Sequence, residues 1–274
     1  MSEQDGQLGI VRRLGASLLA GISYGGGLAL LMAAVGRWVW RGVVNRKDRL
    51  RMGPLTFQMV RVGVRGVGIV CLVQLFIGVI LALQMAPPLE NPWGQSQMVP
   101  NIIGIAGFRM LGPIITAVVL SGFAGASIAA ELGTMVVSEE IEALESEGLN
   151  PVRFLVVPRV LATFIVMLCL TAVADWMIAL GGYITCRGVL EAKVHVGYWE
   201  RMHDQLRMRD FLSGMILAGV FGVLISVIAC YEGLRVKGGA EGVGRATTMT
   251  VVYSIVGIIG AACIFTMVFY VYGL

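Results

Sequence analysis

Five glutamates fall within nine residues of this chain: Glu139, Glu140, Glu142, Glu145 and Glu147. They sit between two long apolar segments, and lipid does not host carboxylates at that density. The segment therefore stands outside the bilayer. Ser138 is the expected N-cap, and Glu139, Glu140 and Glu142 occupy the turn where the positive end of a helix favours acids. Gly148 and Asn150-Pro151 supply the stop signal. Ile141, Ala143 and Leu144 thread an apolar strip between the acids. Two uses suit such a helix over about residues 138–148. It is a solvated connector, or it is a handle that docks into a groove of a soluble partner, with apolar anchors and orienting acids.

Catalytic chemistry finds little to work with. His195 and His203 have no carboxylate or cysteine at metal-ligand spacing, and Cys71, Cys169, Cys186, Cys230 and Cys263 are scattered, mostly inside apolar runs. No nucleophile elbow, zinc-protease, phosphate-loop or dinucleotide signature occurs. The expectation is a non-enzyme without metal or cofactor. The net charge of +4 comes from arginines near the ends of apolar runs and marks no nucleic-acid surface. Two charges lie inside apolar runs, Arg109 and Asp175. They fall on antiparallel helices joined by the acidic segment, and at about 1.5 Å per residue they reach similar depth. An unpaired charge there costs about 3 kcal/mol or more. The expectation is an Arg109–Asp175 ion pair in the outer half of a bundle.

The elements that position these groups follow from composition. Hydrophobic residues make up 57% of the 274 residues and charged ones 14%; the mean hydropathy is +0.82. A soluble domain carries about 25% charged residues. The class is an all-α, polytopic membrane protein, since barrel strands would alternate over about ten residues and no alternation appears. Five spans are expected at 66–86, 101–130, 153–185, 211–233 and 248–272. A sixth apolar stretch, Leu14 to Gly36, is glycine-rich and ends in Arg37-Trp38-Val39-Trp40-Arg41. Tryptophan beside arginine marks a membrane boundary, and the preferred reading is an interfacial elbow helix. The chain thus divides into an N-terminal segment, 1–65, and a five-span domain, 66–274. No cleavable leader is expected, because the first residues are polar.

Arginine placement sets the orientation. Residues 37–65 carry Arg37, Arg41, Arg46, Lys47, Arg49, Arg51, Arg61 and Arg65 against Asp48 alone, whereas 87–100 carries no base. This puts 37–65, the N-terminus and the acidic helix in the cytoplasm, and the C-terminus outside. The outer loop, 187–209, opposes that assignment with Arg187, Lys193, Arg201, Arg207 and Arg209; the larger and earlier cluster decides. Glycines recur through the spans, at 104, 107, 112, 122 and 125 and again at 214, 219 and 222. Small residues let helix backbones approach closely in lipid, which fits a compact bundle and a pair of copies.

A longer pattern joins these pieces. Leu111-Gly112-Pro113, Ala124-Gly125-Ala126, Ala130-Glu131-Leu132-Gly133-Thr134-Met135, Glu139-Glu140-Ile141-Glu142-Ala143-Leu144, Gly148-Leu149-Asn150-Pro151 and Val157-Pro158-Arg159 follow in order. The closing run Gly238-Gly239-Ala240-Glu241-Gly242-Val243-Gly244-Arg245-Ala246-Thr247-Thr248 completes them. Together they resemble the MlaE (YrbE) family of permeases over roughly residues 25–272. The resemblance implies the membrane subunit of an ATP-binding-cassette lipid transporter in a bacterial inner membrane, with the C-terminus periplasmic. It implies two permease copies, two cytoplasmic ATPase subunits, an MCE-domain protein on the outer face, and a phospholipid or related lipid as cargo. ATP hydrolysis then belongs to the partner.

Under that resemblance Ser138, Glu139, Glu140, Ile141, Glu142, Leu144, Gly148 and Pro151 form the ATPase-coupling element. Ile77, Leu81 and Met85, spaced i, i+4, i+8, are expected to touch acyl chains together with Val256 and Ile259; packing against another helix is the alternative. The chain departs from the family pattern at Met110, Phe123 and Leu217, where many members carry an acid, an arginine and a lysine. If those positions adjoin, the charges are lost as a set and leave an apolar cavity wall. Two rivals to the transporter subunit are a secondary transporter, which needs more intramembrane charge and repeated halves, and a non-transporting scaffold.

Overall fold

The computed structural model describes residues 2–44, 52–90, 96–189 and 196–272. Among them there is no strand. Six helices are long and apolar enough to cross a membrane. Helix α1 runs Ser2–Val44 and α2 Met52–Glu90. The next crossing is one continuous helical rod of α3 (Val99–Ala106), α4 (Gly112–Leu120) and α5 (Ala126–Val137). Two π-helical turns, Gly107–Leu111 and Ser121–Gly125, separate its pieces. The short α6 (Glu140–Ser146) leads through a third π turn, Val152–Val156, into α7 (Val157–Gly188). Three helices complete the chain: α8 (Tyr198–Gln205), α9 (Met208–Leu234) and α10 (Gly239–Tyr272).

Two of the π turns have a proline cause. Pro113 and Pro158 have no N–H to give the carbonyl four residues back, and each ring crowds that turn. The ladder therefore opens just upstream, at Gly107–Leu111 and Val152–Val156, into wider turns that keep the chain helical. The five expected spans all lie inside the helices, which run further than hydropathy alone suggests. Helix α2, for instance, begins 14 residues before the expected start at 66.

Helices α2 and α7 form the closest pair. Gly63 faces Val166, Gly66 faces Leu170, and Gly78 faces Ile178 and Gly182, so the two run parallel. A Cβ at Gly78 would strike the Ile178 carbonyl, and one at Gly181 the Leu75 carbonyl. The glycines thus bring backbone against backbone, as lipid-embedded helices require when no hydrophobic force draws them together. The bundle centre is filled by Val70, Ala117, Leu120, Met167, Leu170, Phe221, Ile225 and Ile258.

Helix α1 lies across the bundle rather than along it. Its Tyr24 ring packs on Tyr231 and Tyr253 at centroid distances of 5.1 and 5.0 Å. Fourteen residues on, about 21 Å of helix, Trp38 carries the Arg153 guanidinium 5.1 Å from its ring. Tyr231 and Arg153 mark the same end of antiparallel α9 and α7. Gly219 faces the Phe164 ring, Gly222 the backbone of Thr163 and Phe164, and Cys230 clusters with Val156 and Val157, which puts Tyr231 level with the start of α7.

The outer connection is more ordered than a basic loop. Gly197, at φ 75°, turns the chain into α8. Tyr198 and Met202 then bury themselves against Val99, Ile103 and Ile178. The Tyr198 hydroxyl donates to the Ala179 carbonyl at 3.0 Å. Burial pushes its ionisation up, which keeps it a donor. Lys193 and His195 lie outside the described residues, as do Arg46, Lys47, Asp48, Arg49 and Arg51.

The glycine contacts make a sharp forecast for stability. Gly78→Leu or Gly181→Leu should lower the stability of purified protein by about 1–3 kcal/mol, the scale of overpacking. Gly68 faces open space, so Gly68→Leu should stay within about 0.5 kcal/mol of the parent. Thermal unfolding in detergent reads the difference.

Candidate functional site: the acidic helix and its anchors

Helix α6 projects from the bundle with no buried residue. Glu140, Glu142, Glu145 and Glu147 are exposed, while Ile141, Leu144 and Leu149 are half-buried. The outward face is thus acidic, and the apolar strip is partly taken up by the chain's own packing.

The entry to this helix corrects the expectation for Ser138. That residue closes α5, with its N–H donating to the Thr134 carbonyl at 2.9 Å. Its Oγ lies 3.0 Å from both Thr134 O and Glu140 Oε1 and donates to one at a time. The N-cap position is Glu139, at φ 61°, the one non-glycine residue with positive φ among those described. A single left-handed residue turns the chain sharply between two helices, which a serine cap with extended backbone would not do. The exit is as expected. Gly148, at φ 74°, lets its N–H reach Glu145 O at 2.9 Å and the Leu149 N–H reach Leu144 O at 3.0 Å. Asn150 Oδ1 then accepts from the N–H groups of Val152 and Arg153 at 3.0 and 3.3 Å, and Pro151 opens the next helix.

Two turns behind this corner sits a charge cluster that sequence reasoning missed. Glu131 on α5 takes Arg61 of α2 at 3.0 Å and Arg159 of α7 at 3.2 Å. The Arg159 side chain is only 6% exposed. Its Nη1 also donates to Leu155 O at 2.9 Å, a carbonyl of the π turn. The carboxylate therefore ties three helices at the root of α6. The signal in sequence was equal depth: Arg61, Glu131 and Arg159 each sit near the α6 end of a different span.

The Arg109–Asp175 pair does not form. Arg109 Nη1 approaches Asp210 Oδ1 of α9 at 3.5 Å, and its guanidinium lies over the Phe269 ring at 5.8 Å. Asp175 is 1% exposed and packs against Gly112; its Oδ1 has no hydrogen-bond partner. The depth argument held, since Gly112 is one turn from Arg109. The azimuth did not. A π turn adds one residue, and about 100° of rotation, between the face that meets α7 and the arginine.

The residues expected to meet lipid fall into three places. Met110 and Phe123 both pack against the central cluster that contains Leu217. Leu217 is 2% exposed and belongs to the core of the single chain. Ile77, Leu81 and Met85 are half-buried on α2, with Leu81 against the outer cluster. Val256 and Ile259 are exposed on α10. A different groove, of roughly 660 Å³, opens between α1, α7 and α9, with Met32, Phe164, Leu168, Ile216 and Val220 among its walls. Among the described residues no His, Cys, Asp or Glu cluster could hold a metal ion.

Similarity to known proteins covers the same elements. The Permease MlaE family matches residues 55–268, from the start of α2 to near the end of α10. A probable ABC transporter permease of Rickettsia felis is 36% identical over 214 residues, which is 78% of this chain and 82% of that protein. The intermembrane phospholipid transport system permease MlaE of Haemophilus influenzae is 31% identical over 221 residues, 79% of this chain and 82% of its own. The chloroplastic protein TRIGALACTOSYLDIACYLGLYCEROL 1 of Arabidopsis thaliana is 32% identical over 245 residues, 85% of this chain and 69% of its own. The chain belongs to the MlaE permease family.

Double-mutant cycles check the pairing. Arg109→Gln with Asp210→Asn should show a coupling of about 0.5–3 kcal/mol, and Arg109→Gln with Asp175→Asn should be additive within about 0.5 kcal/mol; the reverse order would overturn the assignment. At the corner, Glu139→Gly should raise thermal stability by about 1 kcal/mol, the relief of a side chain held left-handed.

Proposed function

We propose that this MlaE-family permease is the membrane subunit of an ATP-binding-cassette transporter that moves phospholipid or a related lipid between an inner membrane and the outer envelope. The observation that carries the reading is α6, a solvent-facing acidic helix that starts at left-handed Glu139, stops at Gly148 and is rooted in two membrane crossings. The Haemophilus relative, an intermembrane phospholipid transport system permease, supports the cargo. The partner that hydrolyses ATP is a separate cytoplasmic subunit, and α6 is where it engages. Glu140, Glu142 and Glu145 orient the contact, and Ile141 and Leu144 turn part of their surface into it.

The arrangement follows from that contact. The N-terminus and α6 face the cytoplasm, α1 lies in the interface as an elbow, and the C-terminus faces the periplasm. Two copies pair about a two-fold axis, and the exposed apolar faces of α2 (Phe76, Ile80, Leu83) and α10 (Val256, Ile259, Ile264) supply surface for the second copy and for acyl chains. An MCE-domain protein caps the outer end, beside α8. Met110 and Phe123 give an uncharged lining, backed by Leu217 in the core. Nucleotide in the partner drives transport only by favouring one permease conformation over another. Displacement of α6 reaches the bundle through α5 and α7, which the Glu131 cluster ties to α2.

Copurification tests the reading. Replacing Glu140 and Leu144 together by alanine should abolish association with the ATPase subunit while leaving helix content and membrane insertion intact. Ser146→Cys in sealed, right-side-out membranes should resist an impermeant thiol reagent and react once the cytoplasmic face is opened. Retained association, or labelling from outside, removes the coupling role.

A further inference from the structure

We propose that a pocket where α1 crosses the ends of α9 and α10 binds the phosphate headgroup of an anionic lipid from the cytoplasmic leaflet. The inference rests on the cytoplasmic placement of this end and the interfacial lie of α1.

The pocket holds roughly 570 Å³. Arg235 and Lys237 of the α9–α10 turn and Arg245 of α10 line it, with Glu232 as the opposing acid. Three cations face one carboxylate, and none of the three makes an ion pair among the described residues. Like charges gathered this way repel unless an anion joins them. Arg235 is already posed: its Nη1 donates to Tyr231 Oη at 2.8 Å, and its guanidinium lies 4.9 Å from that ring. Its remaining N–H groups are left for an anion.

The other wall is apolar and aromatic, made by Tyr24, Met249 and Tyr253. Arg245 and Tyr253 are two turns apart on α10, about 12 Å, so the charge grades into the apolar wall along the membrane normal. Tyr24 Oη is shut off from solvent beside the Glu232 carboxylate, so this wall is closed and packed. Beyond Tyr253 the wall continues into Val252, Val256 and Ile259, which are 47%, 64% and 59% exposed. A headgroup held at the cations therefore has a track for its acyl chains, which a free anion would not use. A zwitterionic headgroup carries its own cation into a site already rich in positive charge, so the anionic class is favoured.

Retention of lipid by the purified permease in nanodiscs tests this. The discs contain phosphatidylcholine with a minority of phosphatidylglycerol, both faces are accessible, and native mass spectrometry counts the lipid kept on extraction. The parent protein should retain phosphatidylglycerol in preference. Arg235→Gln, Lys237→Gln and Arg245→Gln combined should reduce that preference at least about fivefold, since each basic residue near the surface is worth about that factor. The charge-keeping set Arg235→Lys, Lys237→Arg and Arg245→Lys should preserve it, which separates charge from folding. Equal preference in the glutamine variant overturns the proposal. Displacement of the lipid by millimolar inorganic phosphate also overturns it, because the site would then take a free anion. Loss of ATPase association in the α6 variants leaves this preference unchanged, so the two readings fail separately.

Discussion

Lipid offers no hydrogen bond to a bare peptide group, and this constraint shapes every crossing of the bundle. Each N–H and C=O inside the hydrocarbon must find its partner within its own helix. A chain with Pro113 and Pro158 in its crossings therefore cannot open a loop at either one. It widens a turn instead, and the π segments Gly107–Leu111 and Val152–Val156 are the result. Each wide turn keeps the rod continuous but rotates what lies on one side against what lies on the other. That rotation decides which neighbours the charged residues meet. Arg109 turns toward Asp210 and Phe269. Arg159, just past the third π turn, reaches back to a carbonyl that the turn has loosened.

Charge at the membrane margin is the second organiser. Arg159 is nearly closed off from solvent, and a buried guanidinium without a counter-charge is strongly unfavourable. Glu131 supplies that charge and shares it with Arg61. Three helices meet there, from three separate crossings, so the cluster fixes their register at one level. Above it, α2 and α7 lie backbone to backbone through Gly78 and Gly181. Pairing below and close packing above make α2 and α7 one body.

Much of this was legible in residue types, because apolar length needs no register to be read. The five crossings, the glycine-mediated contacts and the stop at Gly148 all depend on local composition. The features that escaped depend on azimuth or on long-range burial. Arg109 and Asp175 reach matched depth, yet no pattern in the sequence announces that Gly107–Leu111 carries an extra residue. Ser138 has the right chemistry for a cap and loses the position to Glu139, because the corner needs a left-handed residue more than it needs a capping hydroxyl. Helix α8 hides in a stretch of bases. Its Tyr198 and Met202, spaced i, i+4, were the available signal. Met110 and Phe123 border the central cluster, whereas Leu217 lies inside it as core rather than open wall.

The acidic helix gains its mechanical meaning from how little slack surrounds it. Two residues, Ser138 and Glu139, separate it from the assigned end of α5, and Asn150 fastens the start of the next crossing through two backbone N–H groups. A flexible tether would absorb displacement through its own dihedrals. Here the dihedrals are taken up by a left-handed residue, a glycine stop and an asparagine cap. A push on α6 is delivered to α5 and α7 together, and through Glu131 to α2. Helix α10 stands apart from that body, more exposed along its length and packed chiefly on α5 and α9. Its seams with α5 and α9 are closed by Gly125 against Thr250, Gly133 against Val243 and Gly257 against Leu224, while Val256 and Ile259 face outward on the side away from them.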